Sequence, residues 1–118
     1  MFNNMVKHEI TTLNVTFSAL SDPTRRAILS RLAQGPASVT EIAAPFDISL
    51  PAVSKHLRVL EEAGLLTRRV EGRMHTCRLN AAPLREATGW LTTYRRFWDA
   101  RLDSLAQFLE ETAGEDEV

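Results

Sequence analysis

Residues 49–64 read S-L-P-A-V-S-K-H-L-R-V-L-E-E-A-G, an amphipathic helix with both of its ends marked. Ser49 can accept a hydrogen bond from the unpaired amides of the first turn. Pro51 sits in that turn, where a missing N–H costs nothing. Gly64 stands just past the last apolar position, where a left-handed stop is needed. Leu50, Val53, Leu57 and Leu60 recur three and four residues apart and predict one buried stripe. The opposite face carries Pro51, Ala52, Lys55 and Arg58, with Ser54 beside it. Short groups at the start followed by cations at phosphate height suit entry into a DNA major groove. The plain alternative is an ordinary solvated helix face.

A chain of 118 residues predicts one domain, large enough for a modest core and small enough to gain from dimerisation. No run reaches the length of a membrane span, and the first residues lack a signal pattern, so cytoplasmic residence and no membrane partner are expected. Cys77 is the single cysteine, which rules out an intrachain disulfide and a cysteine cluster for metal. The net charge of −1 hides an uneven distribution. Residues 49–79 hold six basic and three acidic side chains, a net charge of +3, whereas residues 110–118 hold five carboxylates and no cation. A basic segment with an acidic far end is informative about nucleic-acid binding where the total is not.

Elsewhere the punctuation is equally local. Residues 1–12 have weak periodicity and are expected to form a flexible N-terminal arm. Leu13, Phe17 and Leu20 share helical spacing. Asp22 and Pro23 open a second helix, with Ala27, Ile28, Leu29, Leu32 and Ala33 on its apolar face, and Gly35-Pro36 stops it. Ser38 and Glu41 have the spacing of a capping box for a short third helix. Pro45 is expected to interrupt or bend its last turn, and Phe46 to return to the core. Helix, short turn and the Ser49 helix form a helix-turn-helix arrangement. After Gly64 the period changes to that of strands, with a Glu71-Gly72-Arg73 turn and a return from Met74 to Leu79. This hairpin reads as a wing, with Arg69 and Arg73 near its tip able to reach a phosphate or the minor groove. Asn80 is expected to cap a final helix. Its apolar stripe contains Leu84, Leu91, Trp98 and Leu105 at seven-residue intervals, with Ala87, Tyr94 and Phe108 parallel to them. The fold class is therefore mainly α with a small β-hairpin wing, residues 13–111 forming the domain and 112–118 an acidic disordered tail.

The joined pattern D-P-T-R-R-A-I-L at 22–29, S-V-T-E-I-A at 38–43, S-L-P-A-V-S-K-H-L-R-V-L-E-E-A-G-L-L at 49–66 and E-G-R at 71–73 resembles the ArsR family of bacterial winged helix-turn-helix repressors. The likeness spans about residues 17–111. The resemblance implies a homodimer with its N- and C-terminal helices at the interface, where Leu13, Phe17, Leu20, Leu84, Leu91, Tyr94, Trp98 and Leu105 would meet. It also implies binding to double-stranded DNA at a palindromic operator, and repression until an effector releases the protein. DNA contacts then fall to Ser49, Pro51, Ala52, Ser54, Lys55, His56 and Arg58, with Arg69 and Arg73 from the wing.

The departures from the family are as informative. Metal sensors of the family carry cysteines in the helix before the recognition helix, and residues 40–46 have none. The segment W-L-T-T-Y-R-R-F-W-D-A-R-L at 90–102 looks like a subgroup without metal sites. Asp99 and Asp103 lie four apart, but no histidine follows His75, and zinc needs about four ligands. No metal and no cofactor are expected, and a thiol- or metal-responsive repressor is a disfavoured variant. No catalytic serine–histidine–acid set, phosphate loop or carboxylate pair stands out, so the chain does not read as an enzyme. A winged-helix module that binds protein is the rival class, which the retained Lys55, Arg58 and wing arginines oppose. Two readings remain for His56, a hydrogen bond to DNA or packing against the wing. Cys77 reads as a small core residue rather than a sensor. Trp90, Tyr94, Phe97 and Trp98 form a dimer core or wall a pocket for a small-molecule effector.

Overall fold

A computed structural model describes the backbone of residues 4–116 and the side chains of residues 11–113. Among the described residues five helices and three strands follow in the order α1 (Asn4–Leu20), α2 (Pro23–Ala33), β1 (Ala37–Ser38), α3 (Val39–Ala43), α4 (Leu50–Glu62), β2 (Leu66–Glu71), β3 (Met74–Leu79) and α5 (Ala82–Asp116). The chain divides into two units, Met1–Glu86 and Ala87–Val118.

Within the first unit the helix caps expected at Asp22, Ser38 and Ser49 all form. Asp22 accepts from the Arg25 amide at 3.0 Å and caps α2. Ser38 and Glu41 make a reciprocal capping box at the start of α3, through bonds of 3.1 and 3.4 Å. Ser49 accepts from the Ala52 amide at 3.3 Å, and Pro51 lies in the first turn of α4. At the other end of α4, Gly64 adopts φ +75°. Its amide donates to Glu61 and the Leu65 amide donates to Leu60, both at 3.0 Å. That pair of bonds is a Schellman stop, which requires the left-handed residue that glycine supplies.

The buried core gathers Ile28, Leu29 and Leu32 from α2, Ile42 from α3, and Val53, Leu57 and Leu60 from α4, with Leu65, Leu66 and Cys77 from the sheet side. Phe46 packs against it, as expected. The wing is wider than a hairpin. β1 adds a two-residue third strand, pairing Ala37 with Cys77 and Ser38 with Thr76, in the order β1-β3-β2. Its brevity is why no periodicity announces it. The extra pairing anchors a hairpin that would be marginal alone. The β2–β3 turn places Gly72 at φ +62° between the paired Glu71 and Met74, a two-residue type II′ pattern. Asn80 joins three elements. Its side chain donates to the Gly64 carbonyl at 2.7 Å, its amide donates to Leu65 at 2.9 Å, and its Oδ1 accepts from Ala82 at the start of α5 at 3.3 Å.

Three expectations need correction. Leu50 does not join the buried stripe of α4; it is 55 % exposed, because the helix begins beyond the edge of the core. Residues 4–12, expected as a loose arm, are helical within α1, and residues 1–3 lie outside the described residues. No proline or glycine interrupts residues 4–20, so a helix nucleated further on propagates back at little cost. The acidic tail likewise continues α5 to Asp116, with 117 and 118 outside the described residues.

The second unit is the remainder of α5, which runs through Gly89 without a break. Its large apolar residues from Trp90 to Leu109 are between 44 and 60 % exposed. The Trp90 and Tyr94 rings stack at 5.2 Å, Phe97 meets Trp98 edge-on at 6.0 Å, and the Arg101 guanidinium lies 4.5 Å above the Phe97 ring. Among the described residues no helix is long and apolar enough to cross a membrane.

Candidate nucleic-acid interface

α4 buries Val53, Leu57 and Leu60 and turns Pro51, Ser54, Lys55 and Arg58 outward. The cap at Ser49 and the stop at Gly64 fix the ends of this helix, and its apolar stripe fixes the rotation about its axis. The outward set is therefore presented by a rigid element. Ser49 is exposed at the tip. Ala52 is half-buried and so sits at the margin of this face rather than in it.

The wing lies beside α4 and is tied to it. Arg68 of β2 holds its Nε 3.7 Å from the Glu61 carboxylate of α4, an ion pair too long for a hydrogen bond. A groove of about 630 Å³ is lined by Leu50 and Ser54 of α4, by Arg68, Arg73, Met74 and His75 of the wing, and by Ser38, Val39 and Thr40. Arg73 thus lines the same groove as Leu50 and Ser54 of α4. Arg69 does not line the groove; it is exposed and pairs with Glu71 at 3.3 Å. The periodicity of β2 and β3 flagged the wing arginines, but the groove, with Leu50, Arg68, Met74 and His75, has no local signature because it forms between segments distant in sequence.

His56 of α4 meets the start of α2. It is half-buried against the start of α2, its Nδ1 3.3 Å from Arg25 and 3.9 Å from the Asp22 carboxylate. The amide hydrogen bond from Arg25 is the main cause that holds the Asp22 carboxyl below its usual range, with His56 and Arg25 charges adding to it. The remaining predicted interface residues separate into two groups. Leu13 is buried within the chain, and Leu20 and Leu84 pack against its own core, whereas Phe17, Leu91, Tyr94, Trp98 and Leu105 are exposed. Cys77 is buried at the centre of the sheet, and burial pushes its thiol pKa up. Among the described residues no group of three or more histidine, cysteine or acidic side chains is placed to hold a metal ion.

Three helices with a tightly turned pair, an outward cationic face on the second of that pair and a strand-built wing beside it define a winged helix-turn-helix protein. The chain belongs to the ArsR family of helix-turn-helix transcriptional regulators. The family model described as a helix-turn-helix domain matches residues 20–69. An HTH-type transcriptional regulator of Mycobacterium tuberculosis, Rv2034, is 40 % identical over 80 % of this chain and 85 % of its own length. The transcriptional repressor SdpR of Bacillus subtilis is 35 % identical over 70 % of this chain and 91 % of its own. Among solved structures, an ArsR family transcriptional regulator superposes with a TM-score of 0.71 at 43 % identity, covering 75 % of this chain and 92 % of that one. A homodimeric winged helix-turn-helix DNA-binding domain from Mycobacterium bovis matches with a TM-score of 0.63 at 25 % identity, covering 86 % and 91 %.

Proposed function

We propose that this protein is a cytoplasmic, homodimeric transcriptional repressor that binds an inverted-repeat operator in double-stranded DNA. The observation that carries the reading is the outward face of α4, where Ser54, Lys55 and Arg58 stand free of the core on a helix fixed at both ends. In this reading the tip residues Ser49 and Pro51 approach base edges, and Lys55 and Arg58 meet the flanking phosphates. Arg73 and Arg69 reach the backbone from the wing. His56 acts by holding α4 against α2, where Arg25 and Asp22 face it.

Two copies are needed because one short helix contacts few base pairs. Two helices on one frame act at high effective concentration and read half-sites about 34 Å apart. The exposed apolar stripe of α5 supports self-association, since a soluble surface rarely leaves so much aromatic area uncovered. The homodimeric state of the Mycobacterium bovis domain supports the same assembly. A small-molecule effector, where one acts, has to favour a dimer geometry with the wrong separation of the two α4 helices. The test is a titration of the protein against a duplex selected from a random pool. Binding should weaken steeply with salt, and scrambling one half-site should reduce affinity far more than a change outside both. Salt-independent binding, or indifference to the half-sites, would overturn the reading.

A further inference from the structure

The exposed leucine at the tip of α4 has a use that hydrogen-bonding and cationic neighbours cannot serve. Leu50 is the first residue of the helix and 55 % exposed. Helical Cα–Cβ bonds tilt toward the N-terminus, so this side chain projects past the tip that leads into a major groove. Ser54 lies one turn along on the same side. Met74 of the wing, 60 % exposed, and half-buried Val39 line the same groove. Among the described residues none of the groove's lining side chains is acidic, while Arg68 and Arg73 both line it. A groove lined by apolar side chains and by arginines, with no acid, suits a duplex, whose backbone is anionic and whose base edges carry one apolar group.

Only one feature of a base edge in the major groove answers an aliphatic side chain, the C5-methyl group of thymine. We propose that Leu50 reads a thymine methyl in each half-site, which makes a T·A pair at one fixed position a determinant of the operator. This rests on the DNA-binding reading above and deepens it by naming a base. It also accounts for a large apolar residue kept at an exposed helix tip, where a polar residue would be better solvated.

The test uses the full-length protein and a duplex selected from a random pool. Each thymine is replaced in turn by uracil, which removes the methyl group and leaves base pairing unchanged. Affinity is measured by fluorescence anisotropy at fixed salt. At one position per half-site, uracil should weaken wild-type binding about fourfold, the size of one buried methyl. The Leu50→Ala variant should bind more weakly than wild type and should not respond to uracil at that position. Leu50→Met should retain the response. Wild-type binding indifferent to uracil at every position would overturn the inference while leaving DNA binding intact, as would an unchanged penalty in Leu50→Ala. Failure to bind any duplex at low salt would overturn the underlying reading and this one with it.

Discussion

Arg25 holds its Nη1 3.3 Å from Nδ1 of His56, 31 residues further along the chain, and so links the start of α2 to the middle of α4. The same guanidinium donates through Nε to the Ala19 carbonyl at 2.6 Å and through Nη2 to Ser18 at 3.1 Å. Arg26 beside it donates to Leu20 at 2.7 Å. Two adjacent arginines therefore satisfy the last carbonyls of α1, where a helix leaves acceptors unpaired and favours positive charge. One side chain thus fixes α1, α2 and α4 against one another.

Replacing Arg25 by alanine is expected to lower stability by about 2 kcal/mol, the range for hydrogen bonds from a charged group. Arg25→Lys should recover only part of this, because an ammonium lacks the planar fork that reaches two carbonyls and a ring together. Urea unfolding at one fixed protein concentration measures both variants. A wild-type midpoint in Arg25→Ala would mean the fork contributes nothing.

The double variant Lys55→Ala/Arg58→Ala should keep the fold and lose the operator. Both side chains are exposed, so their removal leaves no cavity. If they neutralise phosphates, the dependence of log affinity on log salt should become shallower by about 0.9 for each phosphate left without its cation. Circular dichroism checks the fold and a salt series of gel shifts checks the slope. Unchanged affinity would remove α4 from the interface.

Leu91 and Leu105 are both about half exposed on α5. Leu105→Glu should place a charge inside a two-copy interface and convert the protein to monomer in sedimentation equilibrium. Operator affinity should then fall sharply, because each half-site is bound alone. A dimer that persists in both Leu91→Glu and Leu105→Glu would exclude this stripe as the contact.

Burial holds the Cys77 thiol above its ordinary range, against a smaller opposing influence from the Arg68 charge. A group whose folded pKa exceeds its unfolded value binds more protons in the native state. Its contribution to stability is full below about pH 8.5 and is lost as pH rises through the folded value. Wild-type stability should therefore fall more steeply than that of Cys77→Ala on going from pH 8 to 10. Native protein should also react slowly with a thiol reagent at pH 8 and quickly in urea. Fast labelling of the folded protein would show that the thiol is accessible.

Thr16 is fully buried in α1 and its Oγ1 has no hydrogen-bond partner among the described residues. Thr16→Val keeps the branched shape and removes the unsatisfied hydroxyl, so it should raise stability by about 1 kcal/mol. A lower midpoint on thermal unfolding would show that the hydroxyl is satisfied in the folded protein in solution.

Capping residues and glycine stops were legible in the sequence because their bonds span three to five residues. Ser49, Asp22, the Ser38–Glu41 box and Gly64 all act as their spacing predicts. The outward face of α4 was legible for the same reason, since one buried stripe fixes its opposite. Leu50 escaped that logic. Its spacing fits the stripe, but it sits at the first residue, where the helix has already passed beyond the core. β1 escaped because two residues carry no period, and it exists only through its register with Cys77 and Thr76 some forty residues on. His56 escaped because its partners, Asp22 and Arg25, belong to another helix.

By itself the sequence determined where α2, α3 and α4 begin and where α4 stops, which face of α4 is apolar, and which of its cations are left for solvent. These follow from contacts within a turn or two of the chain. Only the tertiary structure decided that Arg73, Ser54 and Leu50 border one groove, that Arg69 turns to Glu71 instead, and that His56 meets Arg25 and Asp22. Such choices depend on how segments far apart in sequence pack against a shared core, and no local pattern of residues carries that information.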